Sequence, residues 1–155
     1  MIDVSNICVA TDFSKNSEAA VPFAVGMAQK FGGKISLVHV FDGTYLFDAA
    51  AEAGDPNFTT PQHWIDPIYP KLKIKLNELA IAWSARDGVP FSPVLLTGHT
   101  IKEISKFVRD AKVNLLVIST HGRTGLSHAV FGSIAERLVQ LSPCPVLTVR
   151  PEHPH

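Results

Sequence analysis

Residues 113–133 read VNLLVISTHGRTGLSHAVFGS, an apolar run followed by a glycine-rich segment. The run from Leu115 to Ile118 is unbroken, which is typical of a parallel strand that is buried on both faces. Sheets of such strands have helices on both sides, so this run predicts an α/β fold. Gly132 and Ser133 stand where the last predicted helix begins.

The rest of the chain alternates predicted strands with predicted helices. The fold class is therefore an open five-stranded parallel sheet with right-handed crossovers and helices on both faces. In such sheets, ligands bind beyond the carboxyl ends of the strands, where the strand order reverses. Four segments are predicted to meet there: 10–14, 40–43, 98–100 and 119–133.

Length and composition exclude several classes of protein. The chain has 155 residues, which predicts a single domain over 1–150 and a frayed tail over 151–155. Fourteen basic residues balance fourteen acidic ones, which argues against a nucleic-acid partner. A run of about 18 apolar residues is missing, so no membrane partner is expected. The first residues have no pattern of an export signal, and two cysteines are too few for a disulfide scaffold, so the expected location is cytoplasmic.

The segment Asp42–Pro70 is rich in proline, glycine and aromatic residues. This composition predicts a long loop, at about 42–70, between the second strand and the following helix. Loops of this length in a compact domain are often lids, binding loops or partner contacts. Packing of the loop onto its own domain is an equally good interpretation, and the sequence leaves both open.

The glycine-rich segment can form a phosphate-binding site. Glycines let backbone amides approach an anion, and a helix N-terminus adds N–H groups and a partial positive charge. The Ser133 hydroxyl can donate to a phosphate oxygen, and Arg123 is the nearby cation. The alternative is a tight turn with a capped helix, in which Ser133 and Glu136 form a capping box. Neither a lysine-bearing phosphate loop nor a dinucleotide fingerprint is present in the sequence.

Ser119–Gly122, nine further residues and then Gly132-Ser133 resemble the universal stress protein motif, G-x2-G-x9-G-[ST]. The stretches 9–14, 37–40 and 144–149 resemble the same family's opening, second and closing strands. The resemblance implies a Rossmann-like sheet of the adenine nucleotide alpha hydrolase type, with strand order 3-2-1-4-5. It also implies a homodimer that forms through the last strand, at Val146, Leu147, Thr148 and Val149.

Some members of this family bind ATP, and the resemblance assigns positions to that ligand. Ala10 and Val40 would contact adenine, and Asp12 would meet the ribose or a phosphate-bound Mg²⁺. Three residues would hold the phosphates: Gly122, Gly132 and Ser133. Ser119 replaces the first glycine of the motif. If that position needs a positive φ or close approach, serine weakens binding; if it has strand geometry, serine is harmless and can donate a hydrogen bond.

These observations predict a cytoplasmic, dimeric, ATP-binding module of the stress response. Two alternatives stay open: a nucleotide-free dimer that acts through protein contacts, and a slow ATPase. No catalytic residue is predicted, because the sequence has no G-x-S-x-G elbow and names no base to orient water. The seven histidines lack the close pairing of a zinc site, so no metal-binding residue is predicted.

Overall fold

The computed structural model describes residues 1–44, 52, 54, 61–121 and 132–152 of the chain. They include five strands that form one sheet, in which all neighbours are parallel. The order is β3-β2-β1-β4-β5, which confirms the predicted fold and strand order. The strands are β1 (Asn6–Ala10), β2 (Lys34–Phe41), β3 (Phe91–Thr97), β4 (Leu115–Ser119) and β5 (Val146–Val149).

Helices cover both faces of this sheet. The helices are α1 (Lys15–Glu18), α2 (Val21–Phe31), α3 (Pro61–Asp87), α4 (Thr100–Asp110) and α5 (Ser133–Leu141). Buried residues of α2 and α3 form one core with one side of the sheet. Buried residues of α4 and α5 form a second core on the other side.

Successive side chains of each strand point to opposite faces of the sheet, so each strand contributes to both cores. Ile7 and Val9 of β1 belong to the α2/α3 core, whereas Cys8 between them belongs to the α4/α5 core. The same alternation places Leu116 and Val117 of β4 in different cores, and both are fully buried. Burial on both sides is the physical reason why the apolar run of β4 is unbroken.

Proline and glycine set the ends of α2. Pro22 lies in its first turn, where a missing N–H costs no intrahelical hydrogen bond. Gly32 ends the helix in the left-handed conformation, with φ of 67°, which glycine adopts without a steric penalty. Residues 19 and 20, which belong to neither helix, separate α1 from α2.

The predicted loop at about 42–70 is shorter than expected, because α3 already begins at Pro61. Pro67 and Pro70 lie inside this helix, although proline removes a backbone donor. Helical spacing continues through both prolines: the partly or fully buried residues recur every three or four positions. They are Ile65, Ile68, Tyr69, Leu72 and Leu76. Residues 45–51, 53 and 55–60 of the predicted loop lie outside the described part of the chain.

Cys8 in β1 and Pro151 near the chain end are both buried. Cys8 is a fully buried free thiol, and burial, with Cys144 as a second contribution, raises its pKa well above the usual value. Pro151, expected in the frayed tail, is buried, and residues 153–155 lie outside the described part. In the described part of the chain, no helix combines the length and the apolar character that a membrane crossing requires.

Candidate functional site

Two predicted adenine contacts lie on the same side of the sheet. Ala10 ends β1, and Val40 lies near the end of the neighbouring strand β2, two residues beyond Val38, the partner of Ala10. Both are half-buried and pack against the α4/α5 core. The structure therefore brings these two residues together at the carboxyl edge, beside the point where the strand order reverses between β1 and β4.

A network of hydrogen bonds fixes the turn after β1. The Thr11 N–H donates to the Val38 carbonyl at 2.8 Å, and its Oγ1 accepts from the Phe13 N–H at 3.0 Å. Asp12 Oδ1 accepts from the Ser14 N–H at 2.9 Å and from the Ser14 hydroxyl. Ser14 Oγ in turn accepts from the Ser17 N–H at 3.1 Å and so caps α1. The carboxylate of Asp12 is thus held at the mouth of the sheet by an Asx-type turn.

The start of α5 lies against the end of β4. The Gly132 N–H donates to the Thr120 carbonyl at 2.8 Å, and a Cβ on Gly132 would lie only 2.7 Å from that oxygen. Gly132 has φ of −57°, so close approach to Thr120, rather than a left-handed backbone, requires glycine here. Because Ala135 and Leu138 pack into the α4/α5 core, this helix begins on the side of Ala10 and Val40.

The predicted capping box at Ser133 and Glu136 is wrong. The N-cap is Gly132, one residue earlier, which has no side chain to accept a hydrogen bond. The Glu136 N–H donates to the Gly132 carbonyl at 3.0 Å, as in an ordinary first turn. Ser133 is the first helical residue and is exposed, as is Glu136. The first turn of α5, whose N–H groups are not all used within the helix, therefore begins at an exposed serine.

Ser119 does not join the other predicted residues through its side chain. It is the last residue of β4 and pairs with Val149 of β5, so its backbone has strand geometry. Of the two possibilities weighed for this position, strand geometry is the one observed. Alternation from Val117 places Ser119 on the α2/α3 side, opposite to Ala10, and its Oγ accepts from the His121 N–H at 3.3 Å. Gly122 and Arg123 lie outside the described residues.

Two polar residues at this edge lie within the predicted segments 119–133 and 40–43, but no role was predicted for either. Thr120 is buried, and its N–H donates to the Val149 carbonyl at 2.9 Å while its own carbonyl accepts from Gly132. Asp42, just after β2, accepts from Thr44 at 3.1 Å and from the Thr100 N–H at 3.4 Å. Burial raises the pKa of Asp42, but the hydrogen bonds from Thr44 and Thr100 outweigh it, and the pKa is lowered overall. Their positions directly after strands were the available signal.

Both the family match and the sequence relatives of this chain are universal stress proteins. The model of the universal stress protein family matches residues 4–150. Universal stress protein YxiE of Bacillus subtilis is 30% identical over 149 residues, which cover 94% of this chain and 99% of that protein.

Solved structures share the fold. Protein MJ0577 superposes with a TM-score of 0.80 and 22% identity, covering 97% of this chain and 99% of that one. The universal stress protein from Archaeoglobus fulgidus in complex with dAMP superposes with a TM-score of 0.65 and 21% identity, covering 96% and 98%.

Proposed function

This chain belongs to the universal stress protein family, and from that premise we propose that it binds an adenine nucleotide, ATP, at the carboxyl ends of β1, β2 and β4. One observation carries the proposal: α5 begins on the same side of the sheet as Ala10 and Val40. An apolar surface for a base and a helix N-terminus for phosphates are thereby placed at one edge. The dAMP complex of the related Archaeoglobus structure supports this class of ligand.

The described residues suit the parts of such a ligand. Ala10 and Val40 offer half-buried apolar surface for adenine. The exposed Ser133 and the N–H groups of the first turn of α5 can donate to phosphate oxygens. Asp12 can accept from a ribose hydroxyl. Gly122 and Arg123 remain proposed phosphate contacts on the strength of the motif.

A Mg²⁺ ion would fit this site only together with the nucleotide. Within the described ranges, no group of three or more histidine, cysteine or acidic residues could hold a metal by itself. Asp12 supplies a carboxylate at the mouth, and Mg²⁺ is commonly bound by one or two carboxylates plus substrate phosphates. We therefore propose Asp12 and the phosphates as the joint ligands, with the ion neutralising phosphate charge.

Titration calorimetry with ATP, ADP and AMP tests the nucleotide proposal. Ser133→Ala is expected to weaken ATP binding about ten- to a hundredfold, because a hydrogen bond to a charged group contributes about 1.5–3 kcal/mol. Ser92→Ala, an exposed serine on β3, is the matched control and should bind as the wild type does. Absence of binding by the wild type at millimolar nucleotide would contradict the proposal and favour the nucleotide-free dimer that acts through protein contacts.

The slow-ATPase alternative needs a separate measurement. Phosphate release by the purified protein should be compared with that of Asp12→Ala and Ser133→Ala. Release that both substitutions abolish would assign slow hydrolysis to this site, and release that neither changes would indicate a contaminant.

We also propose that the chain forms a homodimer through β5, because the two edges of the sheet differ. On β3, the Phe91 N–H, which faces away from β2, is occupied by Ser84 Oγ at 2.9 Å, and Pro93 has no N–H to offer. On β5, the carbonyls of Pro145 and Val149 accept hydrogen bonds from β4. Successive residues of a strand direct their backbone N–H and C=O groups to opposite sides, so the groups of Val146 and Thr148 face away from β4 and are available to a second copy.

The proposal places this dimer in the cytoplasm as a nucleotide-responsive module of the stress response. Adenine nucleotides are abundant in that compartment. The fully buried free thiol of Cys8 is in keeping with a reducing environment.

A further inference from the structure

Phe13 has a backbone conformation that aromatic residues rarely adopt. Its φ is 65°, in the left-handed region where a side chain is sterically disfavoured. Such strain persists only where the surrounding structure enforces it, and it is concentrated at functional sites. Phe13 directly follows Asp12, so the strained residue lies within the turn that holds the Asp12 carboxylate.

Contacts from two elements hold the Phe13 ring in place. The His39 ring of β2 lies with its centroid 4.4 Å from that of Phe13, and His39 Nδ1 is 2.7 Å from the Thr11 carbonyl oxygen. On the other element, α3, the ammonium nitrogen of Lys75 is 4.5 Å from the centroid of the Phe13 ring, a cation–π distance. The next residue, Leu76, is buried in the α2/α3 core, so the backbone that carries Lys75 is anchored.

We infer that Phe13 is a positioning residue for Asp12. Phe13 packs against the α2/α3 core, and the Thr11 hydroxyl bonds to the buried Ser17. Asp12 lies between these two fixed neighbours, and its carboxylate accepts from Ser14. The contacts of the Phe13 ring with His39 and with Lys75 therefore form a clamp that fixes the turn carrying Asp12, the proposed ribose or Mg²⁺ contact. The consequence for nucleotide affinity rests on the proposed function.

The clamp also connects α3 with the site. Lys75 is on a different element from every residue assigned to the nucleotide, and its ammonium group lies over the ring of Phe13 in that turn. A change at Lys75 should therefore act on the turn that carries Asp12, although Lys75 itself is not one of the proposed ligand contacts.

Two measurements on Phe13→Ala and Lys75→Met test this inference. The first is hydrogen exchange of the Ser14 amide by NMR in the ligand-free protein, since that N–H donates to Asp12. Phe13→Ala is expected to speed this exchange about tenfold, because local opening then lacks the ring contacts. The second is ATP affinity, expected to fall about tenfold in Phe13→Ala and about two- to fivefold in Lys75→Met, the size of a cation–π contact. If Phe13→Ala does not fold, Lys75→Met supplies both readouts.

Phe31→Ala is the matched control, since Phe31 is also a partly exposed aromatic with a lysine over its ring, Lys30 at 6.0 Å, but ends α2 away from the turn. It should change neither readout. Unchanged Ser14 exchange in Phe13→Ala and Lys75→Met would overturn the inference. Faster exchange with unchanged ATP affinity would overturn the positioning role as well. If the wild type binds no nucleotide, the proposed function fails, and the exchange data alone then decide whether Phe13 holds the turn.

Discussion

Gly132→Ala is expected to lower the free energy of unfolding by about 1–3 kcal/mol, the usual cost of forcing an added group into a packed position. The added Cβ would lie 2.7 Å from the Thr120 carbonyl oxygen, and the contacted atom is backbone that cannot turn aside. Either β4 or the start of α5 must shift. Because the first-turn N–H groups of α5 are the proposed phosphate donors, ATP affinity should fall at least about tenfold.

Gly26→Ala is the control for this substitution. Gly26 lies in α2, and a Cβ built on it meets nothing within 4 Å. Alanine should therefore be neutral or should stabilise the helix by about 0.5–1 kcal/mol. Denaturant unfolding of both variants, with calorimetry for ATP, makes the comparison. Unfolding free energies that fall equally in both variants would contradict the steric account of Gly132.

This glycine shows what its motif could and could not predict. The sequence indicated that glycine at 132 gives room for close backbone approach, and close approach is what the structure has. The group that approaches in the described residues is the Thr120 carbonyl, 12 residues away along the chain. Motif spacing does not distinguish an approach by a ligand from an approach by the chain's own backbone.

The sheet was predictable because each strand carries its own signal. The apolar run of β4 and the alternation of strands with helices follow from local burial patterns, and they were sufficient for the fold class. The strand order came from the family resemblance. The start of α3 was missed because prolines at 67 and 70 were weighed above the helical spacing of the residues around them.

The site was predictable where strand alternation applies. Ala10 and Val40 fall on one side because Ala10 pairs with Val38 and Val40 follows Val38 by two residues. Ser119 falls on the other side because it follows Val117 by two residues, and Val117 pairs with Val9. The role of Phe13 could not be predicted. Its φ of 65° depends on contacts with His39 and Lys75, which are distant in sequence.

Thr148→Pro is expected to convert the proposed dimer to a monomer without unfolding the chain. The backbone groups of Thr148 face away from β4, so proline there removes no hydrogen bond within the sheet. In a symmetric dimer, both copies lose the same donor. Two lost hydrogen bonds at about 0.5–1.5 kcal/mol each should weaken the dimer about ten- to a hundredfold, before any clash of the proline ring.

Two matched variants distinguish a loss of pairing at the β5 edge from a loss of folding stability. Thr148→Val keeps the N–H and the β-branched shape, so the dimer should persist in it. Leu147→Pro removes an N–H on the side of β5 that faces β4, and it should lower thermal stability instead. Sedimentation velocity at micromolar protein, with circular dichroism to verify folding, reads out both effects. A Thr148→Pro protein that is folded and still fully dimeric would show that the copies meet elsewhere, because proline cannot supply the donor that pairing through this edge requires.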